Sequence, residues 1–382
     1  MCRALAERGV DPLIVTTDAD GLDRLAVPIG ERTTWQGVPT LFFRRDFSES
    51  FKYSRGLAGW VSERIAQFDI VHIHAVLSHA CLSAASTSGR ARVPYVLRPL
   101  GTLAPWSLGQ KALKKRIMLA LGGRRAILQA AAVHCTSDDE KRDVEQAFPE
   151  SRGVVIPLGI DQQFLDRPIT PWTERSHDPY VLVLSRVHPK KNLEALIRAF
   201  VQTSSRDGFQ HWRLVIAGSG DPEYVSSLEQ LVRDLGAERR INFVGWAEGD
   251  SKHELICRAS VFAIASFHEN FGVSVLEALA SGVPAVISRR VELSGAVDAA
   301  GAGWIVDTSA ESVATGLAVA LGDADQRRAK GLAAREFARR FSWNNVAIEL
   351  VDLYSRIGAP LKRTASVDPS RSAGHPGAAV TR

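Results

Sequence analysis

Cysteine is scarce in this chain of 382 residues. Cys2, Cys81, Cys135 and Cys257 are too few for a disulfide scaffold, and none stands at metal-ligand spacing from another. Cys135 and Cys257 lie in or beside apolar runs and are expected as buried thiols of a reducing, cytoplasmic compartment. Long apolar runs are missing too: none reaches the roughly 18 residues of a membrane-spanning helix. Arg3, Glu7 and Arg8 interrupt the start, so no secretory signal is expected. A large excess of one charge is lacking, with 47 Lys and Arg against 42 Asp and Glu, a net of +5. The excess is local. Residues 107–137 hold Lys111, Lys114, Lys115, Arg116, Arg124 and Arg125 and no acid, the tail from Ala359 carries a net of +3, and the remainder is net negative at −4. A diffuse nucleic-acid surface is therefore not implied, whereas one basic patch is. Walker A, GxSxG and HExxH signatures are lacking. Asp-x-Asp occurs in letters only: Asp18 and Asp20 look like a loop turn, and Asp323 and Asp325 like acids at a helix start.

What is present is an ordinary globular composition, 45% apolar and 23% charged, long enough for two domains. Short apolar runs at 12–16, 39–43, 70–74, 95–98, 132–135 and 154–157 predict a first set of strands. A second set is predicted at 180–185, 213–217, 241–244, 261–265, 284–288 and 304–306. Runs such as VLVL and LVIA suit strands buried on both faces, hence parallel sheets covered by helices. Helical patterns follow at 193–201, 224–235, 252–257, 273–280, 311–321 and 325–340. The expected class is α/β, with two Rossmann-like domains facing across a cleft. Their bounds are 1–160 and 180–340, joined by a polar, proline-bearing linker at 161–179. A closing helix at 341–358 is capped by Ser342, and an Ala/Ser/Pro/Gly/Arg-rich tail at 359–382 is expected to be disordered.

Chemistry should sit in loops after strands. In LSRVHPKKN, Arg186 and Lys191 put two cations between a strand and a helix, which suits a diphosphate; a solvated basic loop is the plain alternative. In SFHENFGVSVLEALASGVPAV, Glu269 and Glu277 stand eight positions apart, so on one continuous helix they would point about 80° away from each other. A loop position for Glu269, a glycine-permitted approach at Gly272 and a helical Glu277 describe a phosphate-and-hydroxyl ligand, a nucleotide-sugar. Glu277 lies in the apolar VSVLEALA, against simple exposure. Gly218 and Gly220 in LVIAGSGD fit a tight turn as well as a ligand loop. In the first half His74 and Arg98 end successive strands and would point into the cleft, and His72, two residues deeper, is expected to be structural.

These residues resemble the family 4 retaining glycosyltransferases of GT-B fold. ENFGVSVLEALASGVPAV is similar to that family's Glu-x7-Glu segment, LSRVHPKKN to its diphosphate loop, IPLGID to its crossing between domains and FSWNNVAIELVDLY to its closing helix. RPLGTLAPWSL, with Gly101 and a basic helix after it, resembles exopolysaccharide and lipopolysaccharide assembly enzymes. The resemblance implies a nucleotide-sugar donor, with Arg186 and Lys191 on its diphosphate and Gly218 nearby. It puts backbone at Phe271, Gly272 and Val273 on phosphate and sugar, Glu277 on ribose, and Glu269 on sugar hydroxyls. His74, Arg98 and Gly101 fall on the acceptor side, with His74 facing the transfer. No metal or other cofactor is implied, and the acceptor would be a glycan or lipid-linked, with peripheral contact to an anionic membrane. The family opens with a strand and a glycine-rich loop, whereas MCRALAERGV reads as the helix after them. A gap in the first sheet, beside the strand ending at His74, is thus expected. A sugar-nucleotide epimerase and a non-catalytic protein on this scaffold are the alternatives.

Overall fold

The computed structural model describes residues 1–358 apart from Lys111 and the side chains of Trp106 and Ser176. The expected disordered tail lies outside the described residues.

The second half is one six-stranded parallel sheet. Its order is Ile241–Gly245, Arg213–Ala217, Tyr180–Leu184, Val261–Ile264, Ala285–Ser288, Gly303–Val306. Side chains alternate between its faces. Val181, Val183, Leu214, Ile216 and Val261 enter one apolar cluster, and Leu182, Leu184, Val215, Phe262 and Ile264 enter the other. Both faces are covered by helices, which is why these strands have no polar face. Order in the chain reverses between Tyr180–Leu184 and Val261–Ile264, so the crevice at their carboxyl ends is where such sheets take ligands.

The first half is built differently. Val71–His74, Tyr95–Arg98, Ala132–Cys135 and Gly153–Val155 form a four-stranded parallel sheet. Ile14–Thr17 pairs with Val38–Phe43 in a separate sheet. That sheet gains an antiparallel strand, Arg32–Trp35, which the sequence reading missed. Its RTTW is short and mostly exposed, with no apolar run to reveal it. The hairpin turns at Gln36 and Gly37, both at positive φ. Asp18 and Asp20 are not a plain turn: Ala19–Asp20 pairs antiparallel with Asp23–Arg24 in a small hairpin, and Asp18, just before it, is buried and accepts the Arg45 backbone N–H at 2.7 Å.

The segment 161–179 is more ordered than a linker. It carries the helices Gln162–Asp166 and Trp172–His177. Phe164 is buried in the second half's core, and buried Arg175 donates to the carbonyls of Ser281 and Gly282 at 2.9 Å. The last helix, Trp343–Arg356, returns to the first half, where Leu350 and Leu353 pack with Leu5, Val96 and Ile156. The two crossings touch: Ile160 N–H donates to Phe341 O at 2.7 Å, and a Cβ on Gly159 would come within 2.3 Å of the Trp343 ring.

Candidate active site

Two loops at the crevice hold the predicted cations and acids. The 185–192 loop is pressed against the loop after Arg213–Ala217, with Val187 N–H donating to Ser219 O at 2.8 Å. A Cβ on Gly218, at φ +145°, would lie 1.8 Å from Ser185 O. Glycine there is demanded by packing. Across the crevice Phe267 N–H donates to Lys190 O at 3.0 Å, and Asn192 Nδ2 donates to Ala265 O at 3.1 Å. These ties bring Lys191 to Glu269, and the two form an ion pair whose side chains are only 11% and 22% exposed. Arg186 is exposed at the same mouth, and its charge helps to lower the pKa of Lys190, whose burial is the main cause.

Gly272 takes φ +81° and so separates the Glu269 loop from the helix Val273–Ala280. No side chain caps that helix, so its first N–H groups stay open to an anion. Phe271 is buried against Phe341, which leaves its backbone at the site, while Val273 is exposed. Glu277 is inside the helix and 9% exposed. Burial raises its pKa, and the Lys252 ammonium, donating to its Oε1 at 2.7 Å, acts the other way. Lys252 comes from the helix Gly249–Arg258 and also lies 5.5 Å over the Phe164 ring. Sequence reasoning missed it, because nothing local marks a lysine whose partner is a carboxylate on another helix.

In the first half a period of two sorts the strands. Val96 and Ala132 face the closing helix near the strands' amino ends; two residues on, Arg98 and His134 face the same way, joined by His72 and His74. Tyr354 Oη lies 2.7 Å from His72 Nδ1, His72 Nε2 lies 3.2 Å from His134 Nδ1, and His134 Nε2 lies 2.8 Å from Ile156 O. One run of neutral tautomers satisfies every link, with the Tyr354 hydroxyl as first donor and Ile156 O as last acceptor. His72 is thus structural. His74 stacks on it at 4.7 Å but reaches solvent at the floor of the cleft. Crowding by protein, with Arg98 nearby, lowers its pKa to about 4. Arg98 is 4% exposed.

The halves meet beside these residues. Asn270 Nδ2 donates to Thr136 Oγ1 at 3.1 Å, and a Cβ on Gly101 would lie 3.0 Å from the Asn270 side chain. Glu140 fastens this edge: its carboxylate accepts Gly101 N–H at 2.5 Å, Thr136 N–H at 2.7 Å and the Thr136 hydroxyl at 2.8 Å. Gly101 is therefore at the interface between the halves. Glu292 reaches this edge from the second half with its Oε2 buried and without a hydrogen-bond partner, and burial raises its pKa to about 7, with Glu140 and Asp143 adding to the rise and Ser137 and Arg142 opposing it. Among the described residues no group of three or more His, Cys, Asp or Glu is arranged to hold a metal.

Two Rossmann-like halves with a cationic loop and a buried acid-bearing helix at their crevice make this a GT-B transferase. Residues 168–337 match the glycosyl transferases group 1 family, and residues 1–164 match glycosyltransferase family 4. The chain belongs to these glycosyltransferases. An uncharacterized glycosyltransferase of Methanocaldococcus jannaschii is 28% identical over 304 residues, 76% of each chain. The fold is similar to a sucrose-phosphate synthase of Thermosynechococcus elongatus, with a TM-score of 0.72 at 20% identity over 93% of this chain and 91% of that one. It is also similar to Anabaena HepE solved with UDP-glucose, with a TM-score of 0.70 at 19% identity over 90% of this chain and 99% of that one.

Proposed function

We propose that this glycosyltransferase takes a nucleotide-sugar in its second half and transfers the sugar, with retention and without a metal, to a glycan or lipid-linked acceptor. The reading rests on one observation: two carboxylates on either side of the Gly272 turn, each matched to a lysine, beside an uncapped helix start. A diphosphate would compete with Glu269 for Lys191 and draw Arg186 and the helix N–H groups. These are the charges that a departing nucleoside diphosphate needs in the transition state. Glu269, released, would meet sugar hydroxyls, and Glu277 the ribose. His74, kept neutral, faces the same cleft. HepE, of like fold, was solved with UDP-glucose, which supports this donor class.

The setting we propose is cytoplasmic assembly of cell-surface polysaccharide, with peripheral contact to an anionic membrane. Leu113, Ile117 and Leu121 are 74%, 50% and 79% exposed within the basic stretch, an apolar stripe that supports such contact. UDP- and GDP-sugars, assayed with and without chelator, test the reaction, and the anomeric configuration of the product is read by NMR. Turnover that survives the chelator and keeps the donor's configuration is expected. Loss of turnover with chelator, or an inverted product, overturns the reading.

A further inference from the structure

Arg98 is the last residue of its strand, in register with His74, at the carboxyl end of the four-stranded sheet. Its Nε and Nη2 are buried and have no hydrogen-bond partner, and Nη1 has only the Met1 sulfur at 4.0 Å. A guanidinium carries five N–H donors, and leaving them unmet away from water costs free energy. The neighbours do not help. Burial lowers the pKa values of His72, His74 and His134, and the nearby Arg98 charge lowers them further, so they gather as neutral rings. Glu140 is the carboxylate whose charge Arg98 feels, but its oxygens are taken by Gly101 and Thr136. Tyr354 spends its hydroxyl on His72. The result is a buried cation without a counter-ion, next to a solvent-reached imidazole, at the end of a parallel sheet where ligands bind.

We infer that Arg98 is the base of an oxyanion subsite, and that the group it receives is a phosphoryl group carried by the acceptor. This rests on the transfer reading above, because it takes the first half as the acceptor side. A phosphate offers three oxygens to the fork that protein leaves empty, and charge-assisted bonds to it are the strong kind. His74 stands at the rim, where a bound dianion would favour its protonation.

The test is made on the full chain saturated with UDP or GDP, so that the diphosphate loop of the second half is already filled. Inorganic phosphate and methyl phosphate are added at constant ionic strength, and unfolding is followed by heat. Both should raise the wild-type Tm by about 2 °C at ten times their dissociation constants. Arg98→Met should be at least as stable as wild type without phosphate, because an uncompensated charge is gone, and should show no phosphate shift. Arg98→Lys should keep a reduced shift. In wild type, the His74 ring resonances of histidine-labelled protein should move on phosphate addition, a readout that needs no variant. A less stable Arg98→Met that keeps the full phosphate shift overturns the subsite. Stabilisation by inorganic phosphate alone, with methyl phosphate inert, overturns the acceptor assignment. Failure of either nucleotide to bind counts against the donor reading and leaves the phosphate result to decide Arg98.

Discussion

The two halves hold their charges in opposite ways. In the second half, buried acids and cations are matched within the site: Lys191 with Glu269, Lys252 with Glu277. In the first half, Arg98 is as buried as any of these and has nothing. A matched pair is stable while empty and must be parted by its ligand, so it favours a ligand with both anionic and hydroxyl groups. An unmatched cation is costly while empty and is relieved by its ligand. The continuity of the sheets runs parallel to this: six unbroken strands carry the matched half, and an interrupted sheet carries the other.

Breaking a match should cost most. Lys191→Ala removes transition-state charge and strands Glu269, and kcat should fall by about 100- to 1000-fold, more than any change in donor affinity. Arg186→Ala, exposed and without a partner to strand, should lower kcat by less, on the order of tenfold. Steady-state kinetics on both variants decide it. A change confined to KM would move both residues to ground-state binding. Glu277→Ala comes next. Loss of a charged hydrogen bond to ribose should weaken donor binding by about 1.5–3 kcal/mol, roughly 10- to 150-fold in Kd by calorimetry. Wild-type affinity in Glu277→Ala removes the ribose assignment.

The strands of the second half and the odd position of Glu277 were legible before the fold was known, and the reason is local. Strands buried on both faces announce themselves as VLVL or LVIA, and Glu277 stands out because a carboxylate in VSVLEALA has no polar face to share. The hairpin strand RTTW has no such signature. Partnerships across the fold were also invisible: Lys252 finds Glu277 through a neighbouring helix, and Asn270 finds Thr136 across the cleft. Gly218 was legible as a glycine that mattered, but only the backbone of Ser185 shows that it matters for packing. In the basic stretch the sequence does not tell which apolar residues face outward: Leu113, Ile117 and Leu121 are exposed, whereas Met118 and Ile127 are buried.

The edge where the halves meet gives a smaller effect, set by pH. The Glu292 carboxyl has a folded value of about 7 against an ordinary 4.5, so the folded contact binds the extra proton. Its contribution is full below about 4.5 and is lost as pH rises through about 7, where the ionised group would face Glu140 and Asp143. The radius of gyration by X-ray scattering should therefore increase modestly between pH 6 and pH 8 in wild type and stay constant in Glu292→Gln. An identical pH response in both would dissociate Glu292 from the contact.

The smallest effect on chemistry in solution concerns the outer surface of the first half. On the helix Ala112–Met118, taking Leu113 as origin, Ile117 lies about 40° round, Lys114 about 100° and Arg116 about −60°. The apolar pair is thus bracketed by cations, all four exposed, while Met118 on the far side is buried. Lys115, also on that side, is tied to Ser107 O and Oγ, and Lys111 lies outside the described residues. The wider turn Leu119–Gly123 adds exposed Leu121, and Lys114 reaches Ser50 in the loop that presents Phe47, 60% exposed. A helix held to its domain by a methionine and a lysine, with Leu113 and Ile117 outward, is built the wrong way round for a water-facing surface and the right way for an anionic bilayer. At about 1 kcal/mol per basic residue near such a surface, Lys114, Arg116, Arg124 and Arg125 would give weak, salt-sensitive attachment. Vesicle sedimentation should show binding to anionic but not neutral lipid, lost in high salt. Changing Leu113, Ile117 and Leu121 together to Gln should abolish it while leaving UDP or GDP affinity unchanged, because all three are exposed residues of the first half and the donor loops belong to the second. Equal binding to neutral vesicles, or a dimer that dissociates in the triple variant, would assign the stripe to another occupant.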